Sequence, residues 1–174
     1  MTTPKGIQRV GAVVQIGGVR LVEANAKTRV RSVKELGDAT LNLTYGARVL
    51  APPDSKGVFF IRAHMDAKVI SDQDPKAEPY VEVGVGLELR YRLPVGFEAS
   101  KDELRAFAQV NGVFNAWPYF REIIQTASAR MDLPPIVIPL YRRPKANSGT
   151  TRKAQVGGAA AAKALPATKR KDEG

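Results

Sequence analysis

Two stretches of strict alternation limit what this chain can fold into. Phe59, Ile61, Ala63, Met65, Ala67 and Val69 alternate with Phe60, Arg62, His64, Asp66, Lys68 and Ile70. Val81, Val83, Val85, Leu87, Leu89, Tyr91 and Leu93 alternate with Glu82, Gly84, Gly86, Glu88, Arg90 and Arg92. A period of two puts every apolar side chain on one side of an extended backbone, so each stretch predicts a long strand with one apolar and one mixed face. Leu41, Leu43, Tyr45, Ala47 and Val49 predict a third strand, ended by Ala-Pro-Pro-Asp, and Val13 to Ala26 a weaker first one. Gly17-Gly18 interrupts that first strand and suits a bulge. The polar, turn-rich connection from Ser71 to Pro79 predicts antiparallel pairing of consecutive strands.

The period then changes. Ser100-Lys-Asp-Glu103 has the form of a capping box, with Asp102 and Glu103 in a first turn where the helix dipole favours anions. Helix is expected from there to about Val110, with an interruption at Gly112 and a second, longer helix from about Asn115, Pro118 falling in its first turn. Trp117, Phe120, Ile124, Ala127 and Met131 recur at helical steps, while Arg121, Glu122, Gln125, Ser128 and Asp132 lie off that stripe. Leu133-Pro-Pro-Ile-Val-Ile-Pro-Leu-Tyr141 must be extended, because its prolines lack donors and hold the preceding residues out of the helical region. The expected fold is α+β: a four-stranded antiparallel sheet followed by a broken helix packed on one face.

The chain has 174 residues and a formal charge of +10. Such a charge points toward nucleic acid only if it lies on a folded surface. Residues 142–174 hold nine Lys/Arg and two acids, so most of the excess belongs to the C-terminal segment. That segment has Val156 and Leu165 as its only sizeable apolar residues and predicts a disordered basic tail over 146–174, after a folded domain over 1–145. A tail of this kind adds at most weak, salt-sensitive contact with polyanions. There is no Cys, which excludes disulfides and thiolate chemistry, and one His, which leaves little for zinc. No stretch has the roughly 20 apolar residues of a membrane helix and the start leads into no signal-like block, so the expectation is a cytoplasmic protein without membrane insertion.

Three features could suggest a polar site. His64 and Asp66 share the mixed face of one strand, but neither a Gly-x-Ser-x-Gly elbow nor a second His accompanies them. Gly84-x-Gly86 sits inside an alternating strand, where glycines permit twist or close approach rather than phosphate binding. The mixed face carries Arg62, Lys68, Arg90 and Arg92 alongside Asp66, Glu82 and Glu88, without the aromatic row of a nucleic-acid platform. The expectation is no catalytic residue, no metal site and no cofactor. What stands out is apolar: Phe97, Phe107, Phe114, Trp117, Tyr119 and Phe120 crowd one helical region, with Leu133, Ile136, Ile138 and Tyr141 behind them. That is more than one small sheet covers, which implies an oligomer interface, a hydrophobic groove, or both.

Trp117-Pro-Tyr-Phe-Arg-Glu-Ile-Ile, followed by Met131-Asp-Leu-Pro-Pro-Ile-Val-Ile-Pro, resembles the SecB family of export chaperones, and four strands before that helix with glycines in the fourth are similar too. Ile7-Gln-Arg-Val-Gly-Ala and Gln15-Ile-Gly-Gly-Val-Arg-Leu-Val look more like the SecB-like chaperones of toxin–antitoxin–chaperone systems. The resemblance spans about residues 7–141. It implies an ATP-independent holdase, a homotetramer built as a dimer of dimers, that binds unfolded clients, here an antitoxin, in hydrophobic grooves. By the same resemblance, clients would meet Leu41, Leu43, Tyr45, Val81, Val83, Phe97, Trp117, Leu133 and Ile136, and Tyr119, Phe120, Ile124 and Ala127 would lie at the oligomer interface.

Two departures bear on partners. Export SecB docks the motor SecA through an acidic sheet face, whereas the mixed face here argues against SecA docking. Export SecB also continues into an amphipathic helix where this chain turns into Arg142-Arg-Pro-Lys and a Gly/Ala-rich tail. The alternatives to an antitoxin chaperone are a general SecB-type export chaperone and, from a different class, a basic nucleic-acid-binding adaptor.

Overall fold

The computed structural model describes residues 4–142 and 152–155. A short helix α1 (Pro4–Gly11) precedes strands β1 (Gln15–Thr28), β2 (Ala39–Val49), β3 (Val58–Ser71) and β4 (Val81–Arg92). Helix α2 (Lys101–Phe107), a π-helical turn (Ala108–Gly112) and helix α3 (Val113–Arg130) follow, and then a short strand β5 (Arg152–Gln155). The sheet is antiparallel throughout, in the order β1-β4-β3-β2-β5.

The alternation translates directly into an inner face. Phe59, Ile61, Ala63, Met65, Ala67 and Val69 of β3 are buried, as are Val81, Val83, Val85, Leu87, Leu89 and Tyr91 of β4. His64 and Arg90 point outward into solvent. α3 crosses β4, β3 and β2 on the inner side, seating Trp117, Phe120 and Ile124 in the core. Burying such aromatic and branched side chains stabilises the fold by about 1.5–3 kcal/mol each, before the entropy of ordering them is subtracted.

The capping box forms as expected: the Glu103 N–H donates to Ser100 Oγ at 3.2 Å, and the Ser100 N–H to Glu103 Oε2 at 2.8 Å. The interruption expected at Gly112 is a π-helical turn that carries the helix onward without a gap. Gly112 lies where that turn meets the sheet. A Cβ there would stand 3.0 Å from Ile61 Cγ2 and 3.5 Å from the Ala47 Cβ, so the absent side chain is what lets the helix approach so closely.

Pairing of consecutive strands holds for β2–β3 and β3–β4 but not for β1, which pairs with β4. The polar stretch 29–38, with a single 3-10 turn at Val33–Glu35, carries the chain past β4 and β3 to the far side of the sheet. β1 slips register at Gly17, as the glycine pair suggests, and a second time between Leu21 and Glu23.

Four residues of the segment expected to form the tail, 152–155, are described, as strand β5. The outer edge of β2 presents unpaired N–H and C=O groups, and residues 152–155 pair with them, Thr40 opposite Gln155 and Leu43 opposite Arg152. The remainder of the expected tail, and the boundary expected at 145/146, lie outside the described residues.

Candidate functional site

After α3 the chain reverses at Asp132, whose φ is 58°, and runs back extended along the helix. Side chains of α3 fasten it there. Ser128 Oγ accepts the Ile136 N–H at 3.0 Å and donates to the Gln125 carbonyl at 2.9 Å. Arg121 Nε donates to the Ile138 carbonyl at 3.0 Å, and Trp117 Nε1 to the Pro139 carbonyl at 2.9 Å. Ile136 and Ile138 turn into the core while Val137 faces solvent. Ser128 and Arg121 lie off the apolar stripe of α3. They contact this segment because it covers a second flank of α3 that helical periodicity alone does not mark.

The fastened segment completes an aromatic cluster. The Trp117 ring packs against Tyr45 and Tyr141, each at 5.0 Å between centroids, and Phe114 lies 6.0 Å from Tyr141. Such edge and tilted contacts are the favoured aromatic geometries. In front of the cluster opens a cleft of about 540 Å³ lined by Ile16, Phe114, Trp117, Pro118, Tyr119, Leu140 and Tyr141, with Asn115 and Arg121 as its polar members. The lining is exposed: Ile16 by 49%, Phe114 by 60%, Tyr119 by 45% and Leu140 by 70%. An exposed apolar concavity backed by fixed rings binds apolar side chains with little demand on their identity, at about 25 cal/mol per Å² covered.

Most residues assigned to client contact lie behind this surface rather than on it. Leu41, Leu43, Tyr45, Val81, Val83, Trp117, Leu133 and Ile136 are buried within the chain. Of these, Tyr45 and Trp117 form the wall of the aromatic cluster, while Val81 and Val83 sit on β4 opposite Val69 and Ala67. Phe97 is half-buried beneath the Arg9 guanidinium, 4.9 Å from its ring centre. Among the residues assigned to an oligomer interface, Tyr119 is exposed and Ala127 half-buried, but Phe120 and Ile124 are fully enclosed by the chain itself. Ile16, Phe114 and Leu140 were not assigned to the site, and they are its most accessible apolar surface. Phe114 stands one helical step outside the Trp117–Phe120–Ile124 stripe, a position that should be polar on a fully solvated helix. Leu140 breaks the in–out alternation of Ile136, Val137 and Ile138.

The outer face of the sheet is paired rather than acidic. Glu88 bridges Arg20 at 2.6 Å and Arg62 at 3.5 Å, and Lys68 bridges Glu82 at 2.6 Å. The Lys68–Glu82 hydrogen bond raises the lysine pKa and lowers that of the carboxylate. Among the described residues no three His, Cys, Asp or Glu side chains converge on a metal-sized site, and no helix is long and apolar enough to cross a membrane.

No family model matches the sequence. Two curated proteins that it resembles are the SecB-like chaperone Rv1957 of Mycobacterium tuberculosis strain H37Rv and the SecB-like chaperone MT2006 of strain CDC 1551. Each is 27% identical over 155 residues, spanning 79% of this chain and 85% of the relative. Among solved structures, the fold is similar to that of the Mycobacterium tuberculosis Rv1957 SecB-like chaperone in complex with a ChAD peptide from the Rv1956 HigA1 antitoxin. The TM-score is 0.70 at 22% identity, covering 81% of this chain and 99% of that one.

Proposed function

We propose, for a chain with the SecB-like fold and with SecB-like chaperones as its relatives, that it is an ATP-independent holdase protecting the antitoxin of a toxin–antitoxin–chaperone system. The observation that carries this reading is the exposed apolar cleft in front of the Tyr45–Trp117–Tyr141 cluster. An unfolded antitoxin segment lays apolar side chains over Phe114, Leu140 and Ile16, gaining burial without any covalent step, so neither a cofactor nor a catalytic residue enters. The relative solved with an antitoxin peptide supports the choice of client. The paired, mixed-charge sheet face gives no acidic platform for SecA, which favours the antitoxin over general export. A homotetramer working in the cytoplasm multiplies the clefts available to one client and so raises avidity.

The test is light scattering of an aggregating antitoxin without nucleotide. The wild-type chain should suppress aggregation, and Phe114→Asp combined with Leu140→Asp should weaken that protection about tenfold or more while the melting temperature changes little. Unimpaired protection by the double variant would rule out the cleft. Leu43→Asp is unsuitable for this purpose, because Leu43 is fully buried and a carboxylate there would unfold the sheet.

A further inference from the structure

The outer edge of β2 lies beside the aromatic wall, on the strand that supplies Tyr45, and it is already occupied by the chain itself. Strand β5 pairs antiparallel with Thr40–Leu43 in continuous register, so the main-chain groups an extended polypeptide would use for strand addition are taken by Arg152–Gln155. The composition of that segment makes it a weak occupant. Arg-Lys-Ala-Gln contains no large apolar residue, so its attachment rests on a few main-chain hydrogen bonds, each worth about 1 kcal/mol net. A short strand containing Arg and Lys also deters edge-to-edge association of the sheet.

We infer that residues 152–155 are a self-inhibitory latch on the β2 edge, which an extended client richer in Leu, Val or aromatic residues displaces before it pairs there. The inference rests on the client-binding reading above. Its consequence is a threshold. Segments too polar to outcompete the latch are not retained, and the apparent affinity for every client is reduced by the fraction of molecules in which the latch is closed.

The test uses the full chain and the double variant Lys153→Pro/Ala154→Pro, since proline lacks the donor and interrupts pairing while leaving the folded body untouched. Hydrogen exchange without any client comes first. The β2 amides between residues 40 and 43 that face away from β3 should exchange faster in the variant, and identical exchange overturns the pairing. Binding of reduced, carboxymethylated lactalbumin comes second. The variant should bind this unfolded probe about three- to tenfold more tightly, the equivalent of about one net hydrogen bond, once the entropy of ordering the latch is subtracted from its pairing. Faster exchange with unchanged affinity overturns the latch while leaving the client reading intact. A probe that binds neither protein defeats the client reading, and the latch with it, and the exchange result then makes β5 a structural strand only.

Discussion

Glu103 shows how much one side chain can organise. It closes the capping box of α2, and its two oxygens accept hydrogen bonds from Arg9 of α1 at 2.8 and 2.9 Å. Arg9 also donates to the Glu98 carbonyl at 2.7 Å and covers the Phe97 ring, so the N-terminal helix is fastened to the start of α2 largely through this residue. The Arg9 guanidinium, followed by the Ser100 N–H, holds the Glu103 carboxyl down to about 2 from its ordinary 4.5. A carboxylate with a depressed pKa stabilises the folded form fully above its unfolded value and loses that contribution as pH falls toward the folded one. Protection of the α1 amides from hydrogen exchange should therefore hold at pH 5 and above and decline between about 4.5 and 2. Glu103→Gln should loosen α1 already at neutral pH and flatten the profile. Undiminished protection at pH 3 would show that Val10, buried under the same helix, suffices to hold it.

At the scale of elements, the π-helical turn decides how closely the long helix packs on the sheet. Gly112→Val should cost about 1–3 kcal/mol, the range for overpacking a filled core, because its Cβ meets Ile61 at 3.0 Å. Gly112→Ala should cost less. Denaturant unfolding checks both, and equal stability of all three proteins would show that the turn relaxes freely. Sequence periodicity showed β2, β3, β4, the capping box and the inner stripe of α3, because each is written in spacings of two, three or four residues. It placed β1 beside the wrong neighbour, since two polar connections look alike whether they turn back at once or cross a sheet. It did not reveal α1, and it showed 133–141 as an extended return over the sheet without its path along α3, which depends on hydrogen bonds between its backbone and Trp117, Arg121 and Ser128. The candidate site was legible as an aromatic concentration. Which of those rings face solvent was not, because exposure at Phe114 and Leu140 follows from where neighbouring segments stop covering them.

For the whole molecule, the uncovered surface of β1 is the feature to account for. Leu21 is about half exposed on an edge strand that has no second neighbour among the described residues. In the proposed homotetramer that surface is covered by a second copy. Leu21→Glu should then shift sedimentation from the assembly toward the single chain, and an unchanged sedimentation coefficient would place the contact elsewhere. The position of β1 also has a consequence for biosynthesis. Gln15 pairs with Arg92 and Thr28 with Val81, so the first strand to leave the ribosome meets its partner only after β2, β3 and β4 have been made. Long-range closures of this kind are slow and leave strand edges open in the meantime. A protein proposed to shelter unfinished chains thus passes through its own translation as one, with the β2–β3 hairpin complete and its N-terminal strand still unclaimed.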